Sequence, residues 1–257
     1  MRLLFIRHGE PDYEHDSLTE KGDREAKLLA EMMAKENIDD IYVSPLGRAQ
    51  RTASFTLEKL GKEAVTCEWL QEFPRMLDIN GSGILEKSYP NTRVKEDGTY
   101  EERILWDMLP RYLATEDNYL DNDCWDIAEV SRKVRLRNAY DQVTGEMDAL
   151  LETYGYRRNG HLYSVDKESK KTIAFFCHFG VTALLLSHIW NISPYIAWHS
   201  FCTLPTSVTE LVTEEREKGI ASFRTLRLGD ISHLRVGGEE PSFMARFCEV
   251  YSDDTRH

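Results

Sequence analysis

Cysteine is scarce in this sequence, and its spacing argues against two common classes of protein. The five cysteines are an odd number, lie far apart and form no Cys-x-x-Cys pair: Cys67, Cys124, Cys177, Cys202 and Cys248. Structural zinc sites and small disulfide-bonded domains both need closely grouped cysteines or histidines. We therefore expect free thiols in a reducing compartment and no metal site.

An excess of positive charge and long apolar runs are also missing. The 32 basic residues against 44 acidic ones leave a formal net charge of -12, whereas nucleic-acid and anionic membrane surfaces need positive patches. The first apolar stretch ends at Arg7 and is too short for a signal peptide or a membrane helix. These features predict a soluble, cytoplasmic protein with no nucleic-acid partner, no membrane partner and no cofactor.

The first part of the chain alternates between strand and helix patterns. With 41% apolar residues, the 257-residue chain can bury a core in one large α/β domain or two small ones. Thr19 is a typical N-cap, and Gly61 is a typical helix terminator. The pattern predicts strand 3–6, helix 19–37, strand 41–43, a helix capped by Ser44 with Pro45 at its first position, and strand 65–69. This order is typical of a right-handed parallel α/β unit.

The alternation is lost over residues 74–128, where Gly81, Gly83, Pro90 and Gly98 interrupt the pattern and a helical piece is expected near 100–114. We interpret this part as an insertion into a single domain. The chain then predicts helix 129–154, a hairpin turn at 158–161, buried strand 172–177, helix 181–190, and two closing strands, 207–212 and 222–228. The predicted fold is a three-layer α/β sandwich with a mostly parallel central sheet flanked by helices.

Three polar clusters follow predicted strands. They are Arg-His-Gly-Glu at 7–10, Ser-Pro-Leu-Gly-Arg-Ala at 44–49 and His-Phe-Gly at 178–180. The carboxyl ends of parallel strands converge on one crevice, where ligands bind. We therefore expect Arg7, His8, Arg48 and His178 to meet at one edge of the sheet, with the insertion over that edge.

These residue types suit a phosphoryl group. Guanidinium groups such as those of Arg7 and Arg48 can each bind phosphate oxygens with two hydrogen bonds. A neutral imidazole is a competent nucleophile for phosphorus when its other ring nitrogen is held by a hydrogen bond, and His8 is the candidate. Gly9 leaves the backbone open beside it and is a further candidate for phosphate binding. His178 suits a charged or donating partner of the same oxygens.

The chain resembles the histidine phosphatase, or phosphoglycerate-mutase-like, superfamily. The resemblance lies in the Arg-His-Gly-Glu motif at 7–10, Leu-Thr-Glu-Lys-Gly at 18–22, Ser-Pro-Leu-Gly-Arg-Ala-Gln-Arg-Thr-Ala at 44–53, and the late His178 after a strand. The order and spacing of these motifs match as well. The resemblance covers about 1–72 and 172–212, and residues between these ranges match nothing that identifies a substrate.

The resemblance implies that His8 becomes phosphorylated and that Arg7, Arg48 and His178 line the phosphate pocket. It also implies that an acid protonates the leaving oxygen, and Glu72 occupies the matching position. The implied activity is hydrolysis of a small phosphorylated substrate, a phosphomonoester, through a phosphohistidine on His8.

The sequence departs from the family pattern at two places, and it leaves other readings open. Glu14 stands where many members have a phosphate-binding asparagine, and Phe179 intrudes where two small residues usually follow the second histidine. A mutase that returns the phosphoryl group to a sugar-acid substrate is the alternative function, and an inactive phosphate-binding or phosphoprotein-binding module is a third. The natural substrate and the oligomeric state are not indicated by any motif.

Several of these residues also have a structural interpretation. His8 alone could be a packing histidine, Glu72 a solvated surface carboxylate, and Arg51 part of a surface salt bridge. His199 is expected to be a half-buried packing residue rather than part of the pocket. Aromatic residues of the insertion could cap the substrate or pack within the protein: Tyr89, Tyr100, Trp106 and Trp125.

Overall fold

A computed structural model describes residues 1–73, 76–89 and 91–244. The predicted start of the insertion at Pro74, the predicted helix breaker Pro90, and Cys248 and His257 lie outside the described residues.

Twelve β-strands lie within the described ranges. In chain order they are β1 Arg2–Arg7, β2 Pro11–Asp12, β3 Ser17–Leu18, β4 Asp40–Val43, β5 Val65–Thr66, β6 Met76–Leu77, β7 Arg103–Ile104, β8 Tyr156–Asn159, β9 Leu162–Val165, β10 Thr172–Cys177, β11 Val208–Glu217 and β12 Ile220–Asp230.

The same ranges contain nine α-helices. They are α1 Glu20–Met33, α2 Gly47–Leu60, α3 Leu85–Ser88, α4 Pro110–Leu113, α5 Glu129–Lys133, α6 Leu136–Thr153, α7 Phe179–Trp190, α8 Pro194–Ser200 and α9 Ser232–Gly237.

The chain forms two compact units. Of the described residues, the first unit contains 1–72, 146–182 and 202–244, and the second contains 73, 76–89, 91–145 and 183–201. The described part of the interval 74–128 belongs to the second unit. Its interpretation as an insertion into a single domain, placed over one edge of the sheet, stays a prediction.

One eight-stranded mixed sheet organises the first unit, in the order β5-β4-β10-β1-β11-β12-β9-β8. β5, β4, β10 and β1 run parallel to one another. β11 pairs antiparallel with β1, and the pairs β11–β12, β12–β9 and β9–β8 are antiparallel as well. The predicted α/β class, with parallel strands at the centre of the sheet and flanking helices, is confirmed.

The central strands are buried because their sequences are apolar on both faces. Leu4 and Ile6 of β1 and Phe176 of β10 pack with Leu29 of α1 and Ala53 of α2 in one apolar core. An apolar run of this kind is typical of a parallel strand covered on both sides. The core fixes the two helices against the sheet and so fixes the loops that precede them.

The ends of α1 and α2 agree with two of the three helix-end residues predicted from the sequence. The Thr19 hydroxyl accepts a hydrogen bond from the Gly22 N–H, as predicted. Gly61 ends α2 in the left-handed conformation, also as predicted. The predicted cap at Ser44 is wrong, because α2 begins later, at Gly47, with Leu46 as its N-cap residue.

Three predicted elements are shorter than expected or broken. Strand 65–69 is reduced to β5, which pairs only with β4 at the sheet's edge and leaves Val65 58% exposed. The predicted helix 129–154 divides into α5 and α6 at Arg135, whose φ is +51°. The helical piece near 100–114 is reduced to α4, and it is preceded by the short strand β7.

The later predictions agree more closely with the structure. β10 spans the predicted residues, and β8 and β9 form the predicted hairpin with Gly160 at φ +59°. β11 and β12 form the predicted closing pair around Gly219, at φ +81°. Both turns need positive φ, which glycine adopts without strain.

Aromatic side chains fill the interior of the second unit. Tyr89 and Trp125 are almost fully buried there. The Tyr89 hydroxyl donates to the Leu105 carbonyl at 2.8 Å, and the Trp106 indole donates to the Phe73 carbonyl at 3.1 Å. These aromatic residues of the insertion therefore pack within their own unit. Among the helices of the described residues, none is both long and apolar enough to cross a lipid bilayer.

The burial of His199 in α8 can be tested through the pH dependence of stability. Burial lowers the pKa of His199 to about 4, from the usual 6.5. Below about pH 6.5 the unfolded chain therefore binds a proton that the folded chain does not, and stability falls as the pH is lowered toward 4. In a His199→Gln variant, the pH dependence of the free energy of unfolding should be smaller by up to about 1.4 kcal/mol per pH unit. Urea unfolding of the wild type and the variant between pH 7 and 4 measures this difference.

The exposed His161 between β8 and β9 provides the matched control. A His161→Gln variant should keep the wild-type slope. An equal slope in wild type and His199→Gln would contradict the assigned burial of His199.

Candidate functional site

The carboxyl ends of three neighbouring parallel strands bring the predicted site residues together. His8 follows β1, His178 follows β10 and Ser44 follows β4, in adjacent positions of the sheet. The His8 N–H donates to the Cys177 carbonyl at 3.0 Å, and the Ser44 N–H donates to the Phe176 carbonyl at 2.9 Å. The ring centroids of His8 and His178 are 5.0 Å apart.

The His8 ring is buried and held through one nitrogen. Its Nδ1 lies 2.7 Å from the Gly9 carbonyl oxygen, and only 2% of the residue is exposed. Because a carbonyl only accepts, Nδ1 carries the proton and the lone pair lies on Nε2. Burial, the charge of Arg7 and, to a smaller degree, that of Arg48 hold the pKa of His8 well below its usual value. The ring is therefore neutral.

Glycines position the loop that carries His8. The Gly9 N–H donates to the Thr52 hydroxyl at 3.0 Å, which ties the loop to α2. A Cβ at Gly9 would lie 2.8 Å from the Gly22 carbonyl oxygen, and a Cβ at Gly22 would lie 2.3 Å from the Glu10 carbonyl oxygen. The loop and the start of α1 can therefore approach this closely only because both residues are glycines.

Arg7 and Arg48 show the same arrangement of bound and open nitrogens. Arg7 donates from one terminal nitrogen to the Thr203 carbonyl at 2.6 Å, and Arg48 from one terminal nitrogen to Asp16 at 2.7 Å. In both, the Nε is buried and has no hydrogen-bond partner among the described residues. Burial lowers the pKa of Arg7. Each guanidinium is thus fixed on one side and open to an acceptor on the other.

His178 repeats this arrangement. Its Nε2 lies 2.8 Å from the Ser44 hydroxyl, while its buried Nδ1 has no partner in the part of the chain that the structure describes. Burial first, and then the charges of His8, Arg48 and Arg7, hold the pKa of His178 well below its usual value. A charged His178, one of the two forms considered from the sequence, is thus disfavoured in the free protein. A neutral, hydrogen-bonding ring is the form that the structure favours.

Glu72 lies beside the first turn of α7. One carboxylate oxygen accepts the Val181 N–H at 3.2 Å, three residues along the chain from His178. Its charge also acts on Arg7, since it opposes the lowering of that pKa by burial. The structure therefore places the predicted acid in the same unit and next to the same helix turn as the second histidine, and its catalytic role stays a prediction.

The two departures from the family pattern have defined places. Glu14 is exposed, and its N–H donates to Asp12 at 3.1 Å. Phe179 is the first residue of α7, is 2% exposed, and has its ring 6.0 Å from the Arg7 guanidinium carbon. Phe179 therefore packs beside the site's more deeply buried arginine.

Asp16 is a site residue that the sequence analysis missed. Its two carboxylate oxygens accept hydrogen bonds from Arg48 at 2.7 Å and from the Gly47 N–H at 2.6 Å, at the start of α2. Its φ of +44° is a left-handed conformation that aspartate tolerates better than most residues. No motif marks Asp16, because its position depends on how the β2–β3 hairpin meets α2.

Glu10, the last residue of the first motif, has a structural environment. Its carboxylate accepts from the Thr19 hydroxyl at 2.9 Å and from the Ser242 hydroxyl at 2.6 Å. The buried Glu25 accepts the Glu10 N–H and the Ser242 N–H. Both carboxylates therefore connect the loop that follows His8 to α1 and to Ser242.

Other predicted side chains form ordinary surface contacts. Arg51 forms a two-bond ion pair with Asp23, at 3.0 and 2.6 Å, which agrees with the surface interpretation. In the described ranges, no group of three histidine, cysteine, aspartate or glutamate residues is arranged to hold a metal ion.

The comparisons with known proteins agree with the sequence motifs. Residues 3–96 match the model of the histidine phosphatase superfamily, branch 1. A probable phosphoglycerate mutase GpmB of Photorhabdus laumondii is 30% identical over 114 residues, which are 41% of this chain and 50% of that protein. Phosphoserine phosphatase 1 of Hydrogenobacter thermophilus is 32% identical over 74 residues, 25% of this chain and 35% of that protein. The matched region thus spans about half the length, or less, of these curated relatives.

Solved structures share the fold across nearly the whole chain. A phosphoserine phosphatase mutant from Entamoeba histolytica, in complex with phosphoserine, has a TM-score of 0.56 and 20% identity, covering 91% of this chain and 98% of that one. The α-ribazole phosphatase from Shigella flexneri has a TM-score of 0.51 and 22% identity, covering 89% and 97%. These likenesses show an α/β fold shared with the two phosphatases. Over residues 3–96 the chain is similar to the histidine phosphatase superfamily, as its motifs predict.

The contact between Gly47 and the β2–β3 hairpin can be tested directly. A Cβ at residue 47 would lie 2.0 Å from the Asp16 carbonyl oxygen, so a Gly47→Ala variant must displace the hairpin and break the Asp16–Arg48 pair. We expect inorganic phosphate to bind at least about tenfold more weakly to this variant, a loss of about 1.4 kcal/mol. Isothermal titration calorimetry with inorganic phosphate, on the wild type and the variant, measures this affinity.

Gly145 within α6 is the matched control. A Cβ there meets nothing within 4 Å among the described residues, and alanine favours helix by about 1 kcal/mol over glycine. Gly145→Ala should therefore keep wild-type phosphate affinity. Unchanged affinity in Gly47→Ala would show that Asp16 does not position Arg48.

Proposed function

We propose that the chain hydrolyses phosphomonoesters through a phosphohistidine on His8. One observation carries this proposal. Three buried nitrogens of the site, Arg7 Nε, Arg48 Nε and His178 Nδ1, have no hydrogen-bond partner in the described ranges. Buried polar groups nearly always have a hydrogen-bond partner in proteins, and the two arginine Nε atoms are donors, so this arrangement calls for an acceptor. An anion with several oxygens, next to a neutral imidazole, meets that need.

The first step forms a bond between His8 and phosphorus. The Nε2 lone pair attacks in line, the bond from phosphorus to the ester oxygen breaks, and Glu72, which reacts in its protonated form and becomes a carboxylate, gives its proton to the departing oxygen. The two guanidinium groups neutralise charge on the transferring phosphoryl oxygens. The Nδ1–H bond to the Gly9 carbonyl stabilises the positive ring of the phosphohistidine.

The second step returns the site to its starting state. Water attacks phosphorus opposite His8, the nitrogen–phosphorus bond breaks, and Glu72 takes the proton that water loses. Inorganic phosphate leaves, and His8 regains its lone pair. The sum is one ester and one water converted to an alcohol and phosphate.

A phosphoglycerate-mutase-like transferase is the second candidate. It is favoured by the names of several curated relatives, such as the 30%-identical protein of Photorhabdus laumondii. Both functions share the first step and differ in which acceptor takes the phosphoryl group from His8. A mutase must also bind a highly anionic bisphosphate, which calls for further basic groups at the pocket. The chain's acidic balance favours water as the acceptor.

His8 carries the central test of this proposal. With a generic aryl phosphate, the wild type should release phosphate and form an acid-labile phosphohistidine during turnover. A His8→Asn variant, which keeps a polar side chain, should lose turnover by at least about 10⁴-fold, because the nucleophile is removed. Steady-state phosphate release and rapid-quench labelling measure both.

Three outcomes separate the candidate functions. Turnover that His8→Asn does not reduce would contradict the proposal, and absence of turnover with retained phosphate binding would favour a binding module. Conversion of 2-phosphoglycerate to 3-phosphoglycerate, faster than phosphate release, would favour the mutase.

The role of Glu72 depends on the leaving group. A Glu72→Gln variant cannot donate the proton, so it should cleave an alkyl phosphate about 10²- to 10⁴-fold more slowly. An aryl phosphate has an acidic leaving group that can depart without a proton. The substitution should therefore slow the transfer of its phosphoryl group to His8 far less. Burst kinetics on the two substrates check this difference. Equal losses on both would remove Glu72 from the role of general acid.

A further inference from the structure

The loop at residues 203–207, which precedes β11, holds the end of β1 through its backbone. The Thr203 carbonyl accepts from the Arg7 side chain at 2.6 Å, and the Ser207 carbonyl accepts the Arg7 N–H at 3.2 Å. The Thr206 N–H lies 3.1 Å from both the Arg7 and the His8 carbonyl oxygens. This loop therefore fixes the backbone of the nucleophile and the side chain of its neighbouring arginine.

Thr206 makes these contacts in a conformation that threonine rarely adopts. Its φ is +58°, and the residue is fully buried. A β-branched residue with positive φ is strained, and such a conformation persists only where the surroundings hold it in place. A contact that holds the Thr206 side chain would therefore also keep its N–H directed at the carbonyls of Arg7 and His8.

His233 of α9 supplies that contact. Its Nε2 lies 3.0 Å from the Thr206 hydroxyl oxygen, and 6% of the residue is exposed. The Thr206 hydroxyl donates its own proton to the Pro205 carbonyl at 2.7 Å. The hydroxyl must therefore accept from His233, which fixes the proton of His233 on Nε2.

The other ring nitrogen of His233 is consistent with this assignment. Nδ1 is buried and lacks a hydrogen-bond partner within the described chain, so the ring gains nothing from a second proton. Burial lowers the pKa of His233 to about 4. The ring stays neutral, with one donor directed at Thr206, over the pH range in which the protein would act.

We propose that His233 is a positioning residue that holds Thr206, and through it the Arg7–His8 backbone, in the geometry needed for phosphoryl transfer. The proposal rests on the function proposed above for His8. His233 does not reach the reacting atoms itself. It acts in two consecutive steps: its ring donates to the Thr206 hydroxyl, and the Thr206 N–H is shared between the carbonyls of Arg7 and His8.

Two variants of His233 separate positioning from simple packing. His233→Leu fills the space without a donor, whereas His233→Gln keeps an N–H group that can reach the Thr206 hydroxyl. Misplacement of a reacting group by about 1 Å costs on the order of 10²-fold in rate. We expect His233→Leu to lower kcat for an aryl phosphate by about ten- to 100-fold, with KM changed less than kcat, and His233→Gln to recover most of the loss.

The amide of residue 206 gives a second measurement that needs no activity. Its hydrogen exchange, followed by NMR, should be faster in His233→Leu than in wild type and close to wild type in His233→Gln. The exposed His161 supplies the control, since His161→Leu should alter neither kcat nor the exchange rate. Wild-type kcat and wild-type exchange in His233→Leu would overturn the proposal, as would equal defects in the leucine and glutamine variants.

Thr206 provides the same test from the other side if His233→Leu does not fold. Thr206→Val keeps the side chain's shape but removes the acceptor, so it should reproduce the slower kcat and faster exchange, whereas Thr206→Ser should not. Normal kcat and exchange in Thr206→Val would overturn the proposal. Should the wild type have no turnover at all, the function proposed for His8 fails, and the exchange of residue 206 still decides whether His233 holds Thr206.

Discussion

The hydrogen bond from His8 Nδ1 to the Gly9 carbonyl is the interaction on which the site depends. At 2.7 Å it assigns the ring proton to one nitrogen and leaves the lone pair on the other. The bond would not be enough in water, because an imidazole near its usual pKa is partly protonated at pH 6 to 7. Burial and the neighbouring guanidinium groups disfavour that second proton. The same cations that suit a phosphate therefore also keep the His8 ring neutral.

The rest of the site follows a single structural rule. Arg7, Arg48 and His178 each use one nitrogen to bind a protein acceptor or hydroxyl and keep another buried nitrogen open. The bound nitrogen fixes the direction of the open one, so that little ordering remains when an anion binds. The bound partners, Thr203, Asp16 and Ser44, come from three different loops, which explains why the fold must be complete before the site exists.

Helix ends and buried strands could be predicted where they depend on residues close together in the sequence. The Thr19 cap, the Gly61 terminator and the apolar run of β10 act within a few residues of themselves, and the structure has all three. Ser44 was assigned as a helix cap for the same local reason, but its hydroxyl lies 2.8 Å from the His178 ring, 134 residues away. The break between α5 and α6 at Arg135 could not be predicted from the sequence either. Arginine rarely adopts the positive φ that this residue has, so it does not signal the end of a helix.

The candidate site likewise contains residues that motifs predict and residues that depend on contacts between distant segments. Arg7, His8, Arg48 and His178 could be predicted from motifs, because the function proposed for them, phosphoryl transfer, restricts which residue types can bind and attack the substrate. Asp16, Thr206 and His233 could not, since their importance lies in contacts between distant segments that no spacing encodes.

The protonation state of His8 can be observed most directly by ¹⁵N NMR of its ring. We predict the shifts of a neutral imidazole protonated on Nδ1, with no titration near the usual histidine pKa, because burial and the neighbouring guanidinium groups hold the pKa of His8 well below it. A ring protonated on Nε2, or one that titrates near its usual value of 6.5, would contradict it.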